Sequence, residues 1–159
     1  MTISLRRYIA GDVALVTPRL IVAHEAEALD TTIGLGVPAG KAWTATLDGK
    51  VLGCGGLVKA WAGRFLAWTW IGDVPFRVRP EMEAYCAGAI AECFANDGAT
   101  RVEAHTPVGH TLGQRFLKRL GFIAEGVAQN WVGRESYLTF ARIHSTLAEA
   151  RLGARAHGR

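Results

Sequence analysis

The chain has 159 residues, half of them apolar, with 18 Lys and Arg against 14 Asp and Glu and a formal charge of +4. This is one domain's length with apolar material enough for a core, which excludes a disordered chain and a peptide that needs staples or a metal to fold. No apolar run approaches the roughly 20 residues of a membrane span and residues 1–8 carry no signal-peptide core, so a soluble, cytoplasmic protein is the expectation.

In chain order, residues 3–8 read as a strand in which Ile3 and Leu5 alternate with polar neighbours, ended by Ala10-Gly11. Asp12 stands where it would cap a helix beginning at Val13, with Pro18 interrupting before a second helical stretch through Leu29. The Gly- and Pro-rich run 34–40 is a loop. Residues 42–47 and 51–58 then form a hairpin around Asp48-Gly49, a dipeptide that supplies the positive φ angles of a tight turn. After a second turn at 60–63, residues 64–71 place Phe65, Ala67, Thr69 and Ile71 on one face and Leu66, Trp68 and Trp70 on the other. Both faces are apolar, so this strand is expected to be central and covered on both sides. Trp at alternate strand positions belongs first to a core, although a substrate-lining role is open to Trp68 and Trp70.

Pro80 suits a first helical turn, and Met82, Cys86, Ala89, Ile90, Cys93 and Phe94 recur on one helical stripe up to the stop at Asn96-Asp97-Gly98. Residues 101–106 are a strand. Residues 111–120 are a helix expected to turn Leu112, Phe116, Leu117 and Leu120 inward, with Gly121 as its left-handed stop. Residues 122–127 and 135–143 are two strands joined around Gly133. The order predicts an α/β domain with a mixed, mostly antiparallel sheet flanked by helices over residues 1–143, followed by a tail at 144–159. Cys54, Cys86 and Cys93 sit among small and apolar residues and read as buried, reduced thiols. Three of the basic residues, Arg151, Arg155 and Arg159, lie in the tail, and a solvated tail accounts for them without a nucleic-acid partner.

The element order, with Arg115-Phe116-Leu117-Lys118-Arg119-Leu120-Gly121-Phe122 followed by Glu125-Gly126, resembles the GNAT superfamily of N-acyltransferases over roughly residues 2–142. The stretches Trp43-Thr44-Ala45, Gly53-Cys54-Gly55-Gly56-Leu57, Gly63-Arg64 and Ala67-Trp68 look more particularly like short GNAT-like proteins of tailed phages, some linked to the virion interior. The resemblance implies acetyl-CoA as co-substrate, a small-molecule or protein amine as acceptor, and a fourth and fifth strand (64–71 and 101–106) that splay apart to admit the pantetheine arm. The cofactor-binding candidates on that footing are Ile71, Gly72, Asp73 and Val74, with Arg77 and Arg79.

Two positions depart from the family's pattern. Its pyrophosphate loop is Arg/Gln-x-x-Gly-x-Gly/Ala, where glycine admits the phosphates to the backbone and a helix N-terminus supplies partial positive charge. Residues 72–81 hold no Gly-x-Gly, Pro75 and Pro80 remove two N–H donors, and Glu81 and Glu83 place negative charge in the first turn. Arg77 and Arg79 would have to pair with the pyrophosphate directly, unless they are simply solvated loop residues. The Tyr that commonly protonates the departing thiolate corresponds to Leu117.

Acyl transfer by direct attack requires a base for the amine and donors for the oxyanion. Glu103 and His105 alternate on one face of the fifth strand and are the candidate bases. The plainer account is two polar side chains on a half-exposed strand. His110, ahead of a helix, reads as a capping or surface residue. An acetyl-CoA-dependent N-acetyltransferase and a non-catalytic GNAT-fold binding or assembly protein, phage-derived or virion-associated, therefore both stand as expectations.

Overall fold

The computed structural model describes residues 3–16 and 42–144. Within them seven strands form one sheet: β1 (Ser4–Arg7), β2 (Ala42–Leu47), β3 (Lys50–Trp61), β4 (Arg64–Ile71), β5 (Arg101–Pro107), β6 (Ile123–Val132) and β7 (Glu135–Ile143), in the order β1-β2-β3-β4-β5-β7-β6. β1 to β4 are antiparallel neighbours, β4 and β5 run parallel, and β5, β7 and β6 are antiparallel again. Antiparallel steps close with short turns, and Asp48 and Gly49 both take the positive φ that the β2–β3 turn demands. The parallel step from β4 to β5 needs a crossover, supplied by helix α1 (Arg79–Asn96). Helix α2 (Thr111–Arg119) connects β5 to β6 and ends at Gly121, whose φ of 84° suits only glycine without strain.

Both helices pack on one face of the sheet. Ile90 and Cys93 of α1, with Leu120 and Phe122 after α2, close over Leu57, Phe65, Val102, Ala104 and Phe140. A second cluster, Ile3, Ala45, Leu47 and Leu52 with Val74 and Val78, lies on the same face under the start of α1. On the opposite face Val13 and Val16 cover Cys54 and Trp70. Trp70 is 2% exposed, as a central strand requires, whereas Trp61 and Trp131 are largely exposed and belong to no core.

Two local expectations are corrected. Asp12 does not cap a helix. It opens a short 3-10 turn, Asp12–Leu15, whose N-cap is Gly11, and its buried carboxylate accepts from both Arg6 guanidinium nitrogens (2.7 Å each), the Thr44 hydroxyl (2.5 Å) and the Ile9 amide (2.9 Å). A buried carboxylate beside a guanidinium gains more from that bond set than from a helix end, and its pKa is held at about 2 by the Arg6 hydrogen bond against the cost of burial. The second correction is at Leu112 of α2, which is 48% exposed rather than inward; Phe116 and Leu117 do pack against the first cluster, but the helix has no fully buried residue before Leu120. Leu112 stands in the first turn of the helix and is not part of that cluster. The expected interruption at Pro18, the helical stretch through Leu29, the loop at 34–40 and residues 145–159 of the tail lie outside the described residues.

Candidate functional site

The opening lies between β4 and β5. Their pairing runs from Arg64 and Arg101 to Leu66 and Glu103 and then ceases, while β5 stays paired with β7 along its whole length to Pro107. The Gly72 amide donates to the Leu52 carbonyl (3.0 Å), which sets the phase of the β3–β4 ladder. By antiparallel alternation the backbone groups of Leu66, Trp68 and Trp70 then face β3, and those of Ala67, Thr69 and Ile71 face the gap. A strand edge in mid-sheet with one neighbour withdrawn is a template for an extended polar ligand.

Around this edge a groove of about 940 Å³ extends, lined by Trp68 to Ile71 on one side, Ala104 to Pro107 on the other, and Phe116 and Leu117 of α2. Its size is near the top of the roughly 300–1,000 Å³ of small-molecule sites. α2 is drawn close to β5 at Gly113, where an added Cβ would sit 2.6 Å from the Thr106 hydroxyl and 2.7 Å from the His110 ring. It is tied to α1 by Arg119, whose Nε donates to Glu83 (2.8 Å). Arg79, Arg115 and Arg119 all line the groove. The two α2 arginines were not singled out in the sequence, although the run Arg115 to Arg119 carried the helix motif; the proximity of that motif to α1 is what gives them a role.

The loop from Gly72 to Arg79 is held by its own contacts. Val74 and Val78 are buried in the second cluster and Ile71 packs against it, so these side chains are core. Gly72 spends its amide on Leu52, as noted. The Arg79 Nε donates to the Val74 carbonyl (3.2 Å) and its guanidinium stands 5.6 Å from the centre of the exposed Phe76 ring. Asp73 and Arg77 are exposed. Of the first-turn acids, Glu81 accepts from the Ile3 amide (3.2 Å) and Glu83 from Arg119, so both are engaged within the fold.

Glu103 and His105 share the face away from the helices, and the structure sets them in different surroundings. Glu103 is 4% exposed and clamped between the guanidiniums of Arg64 and Arg101, and Arg101 reaches on to Glu125 (2.9 Å). Burial pushes its carboxyl up, but the two guanidiniums outweigh that and hold it below the ordinary range. It does not line the groove. His105 does, with its ring stacked on Trp131 (centroids 4.5 Å apart, planes at 15°). Burial lowers its pKa below the usual 6.5, against the smaller opposing pull of Glu103, so the ring is neutral at pH 7. The indole N–H of Trp68, on the same face of the neighbouring strand, is buried with no hydrogen-bond partner among the described residues. His110 occupies the N-cap of α2 but makes no side-chain cap bond. The thiols are poor nucleophiles: burial raises Cys54 to about 12 and Cys86 to about 11.

No family model matches the sequence and no curated protein matches it. Solved structures do. A GNAT-family acetyltransferase from Bacillus anthracis superposes with a TM-score of 0.66 at 13% identity, over 90% of this chain and 95% of that one. Ard1 from Thermoplasma volcanium gives 0.67 at 18% identity, over 90% and 98%. A GNAT-family acetyltransferase from Elizabethkingia anophelis, solved with acetyl-CoA bound, gives 0.64 at 14%, over 90% and 99%. The chain has the GNAT fold. At these identities the likeness is one of fold. Among the described residues no helix is long and apolar enough to cross a membrane.

Proposed function

We propose that this GNAT-fold chain is an acyl-CoA-dependent N-acyltransferase, with acetyl-CoA as the simplest donor and a small-molecule or protein amine as acceptor. The observation that carries the reading is the splay itself: Ala67, Thr69 and Ile71 turn their backbone groups into a gap that β5 has left. The amides of a pantetheine arm have the spacing and polarity to take β5's place, and a closed sheet would offer them nothing.

In this reading the amine enters from the face that carries His105 and Trp68. A neutral imidazole takes the proton of the substrate ammonium, and the freed amine attacks the thioester carbonyl. The carbon–nitrogen bond forms, the carbon–sulfur bond breaks with its electron pair on sulfur, and a β4 amide facing the gap stabilises the oxyanion between the two. Leu117 gives the thiolate no proton, so sulfur takes one from solvent after departure, and the nitrogen sheds its second proton to solvent as the amide forms. Glu103, locked between two guanidiniums, serves as the clamp that holds β4 to β5 where the gap begins. Arg77 and Arg79 would meet the pyrophosphate, Arg79 by exchanging the Val74 carbonyl for a phosphate oxygen. Ile71, Gly72, Asp73 and Val74 contribute backbone rather than side chains.

The competing reading is a binding or assembly protein without catalysis, favoured by a loop that keeps Arg79 on its own carbonyl and by Leu117. Thermal denaturation with acetyl-CoA separates the two. At a hundredfold excess over the dissociation constant the ligand stabilises by about 2.7 kcal/mol, a rise of roughly 5–10 °C for this length. The double variant Arg77→Glu with Arg79→Glu should lose most of that rise, read against its own ligand-free melting point, which the lost Arg79–Val74 bond lowers slightly. No shift and no calorimetric heat at millimolar acetyl-CoA would remove the enzyme reading in favour of assembly.

A further inference from the structure

We propose that the groove continues beyond the β4–β5 gap as an apolar channel beneath α1, and that its occupant is the hydrocarbon chain of an acyl donor longer than acetyl. The inference rests on the acyl-CoA reading above and deepens it by naming the donor class.

The channel follows from the register of the sheet. On the helix-covered face Trp43 lies beside Gly55, and Gly55 beside Thr69, in a row that crosses β2, β3 and β4 to the gap. The next row is Ala45, Gly53 and Ile71. Gly53 and Gly55 put no side chain on this face, so the floor is bare. The sheet itself imposes this: an added Cβ at Gly53 would lie 2.8 Å from the Trp70 carbonyl oxygen, and one at Gly55 equally close to that of Trp68. Thr69 is exposed although β4 has three strands on either side of it, and it belongs to neither core cluster of the described residues. The two core clusters on this face end on opposite sides of the row and do not meet across it. Above, α1 presents Cys86 and Ala89, both partly buried against the first cluster. Half-buried Trp43 closes the far end, and all these residues line the one groove.

The corridor is floored by Gly55 and Thr69 in one row and by Ala45, Gly53 and Ile71 in the next, with Trp43, Cys86 and Ala89 around it. It opens onto a strand edge whose backbone suits a polar arm. A ligand with a peptide-like arm followed by a straight apolar chain matches both parts, and an acyl-CoA is such a ligand. Because Gly53 and Gly55 leave the middle of the floor bare, each added methylene is desolvated there without displacing protein atoms.

Isothermal titration of the full chain with CoA, acetyl-CoA, hexanoyl-CoA and decanoyl-CoA tests this. Each methylene should tighten binding by about two- to fourfold, so that decanoyl-CoA exceeds acetyl-CoA by a hundredfold or more. The ratio of these two constants should fall towards one in Thr69→Phe, which sets a ring on the exposed floor position of the row, and should fall in part in Trp43→Ala, which removes the apolar contact at the far end. Equal affinities from acetyl to decanoyl would overturn the channel and leave the acyl-CoA reading standing. A gradient unchanged in both variants would place the chain elsewhere and overturn it as well. If neither CoA nor any thioester binds, the reading beneath it fails, and the channel's assigned occupant with it.

Discussion

At Leu117 the groove meets a side chain that can neither give nor accept a proton, at a point where α2 crosses the gap. A general acid contributes about 10²–10⁴-fold where proton transfer limits the rate. Leu117→Tyr is therefore expected to raise kcat by about tenfold or more in a steady-state assay of thiol release, since the ring has groove space to occupy. Leu117→Ala should cost about 2 kcal/mol in urea denaturation, at the low end of the 2–5 kcal/mol of a fully buried leucine, because the side chain packs on the core without being fully buried. His105 is the opposite case. Its position on the fifth strand was readable from alternation alone. Its neutral state was not, because the burial and the Trp131 stacking that set it come from a strand 26 residues further on, as the sequence numbers show.

Among the elements, β5 is joined to β4 through charge, and Glu103 is the centre of that cluster. Glu103→Gln would leave Arg64 and Arg101 facing a neutral amide at the one place where β4 and β5 touch. The expected loss is about 2–3 kcal/mol, under the 3–5 kcal/mol of a dry pair, because the two guanidiniums keep 31% and 29% of their side-chain exposure. Equilibrium denaturation of the variant with its m-value measures it. What the sequence disclosed of these elements was local: the Asp48-Gly49 turn, the two-sided apolar β4, Pro80 in the first turn of α1, the stop at Gly121. What it withheld depended on distant partners. The acid at position 12 looked like a cap because caps are read within four residues, while its partners Arg6 and Thr44 come from β1 and β2. The stripe of α2 reads as core, and Phe116, Leu117 and Leu120 do meet the first cluster; periodicity reports which side chains share a side but not how far along it the core extends, so Leu112 is exposed. β6 proved longer than its apolar run, reaching Val132, because β7 continues to pair with it beyond irregularities in the ladder.

For the whole molecule, four titrating groups push stability in one direction. Asp12, Glu103 and Glu125 have carboxyl pKa values below their free values, and His105 has an imidazole pKa below its own. In each case the unfolded chain takes up its proton at a higher pH than the native one, so stability falls as pH falls. His105 gives the first decline, beginning near pH 6.5. The carboxylates give a steeper one from about pH 4.5 downward, with Asp12 the last to yield near pH 2; its share alone is about 2 kcal/mol. Urea midpoints taken from pH 8 to pH 3 should show a plateau followed by these two steps, and a midpoint that rises on acidification would contradict the assignment. The joint at the mouth of the splay has a mechanical consequence. Everything that binds β1–β4 to β5–β7 within the sheet lies at one end: the short β4–β5 ladder, the Glu103 clamp, and the Gly63 carbonyl accepting from the amides of Thr100 (2.7 Å) and Arg101 (3.0 Å). The molecule is thus built like a clothes-peg, stiff at the spring and compliant at the jaws. Whatever the jaws grip lends the sheet the cross-links it lacks, so the amide protons of Ala67, Thr69 and Ile71 should exchange with solvent quickly in the empty protein and slowly in the loaded one, while those of Trp68 and Trp70, bonded to β3 throughout, keep their pace.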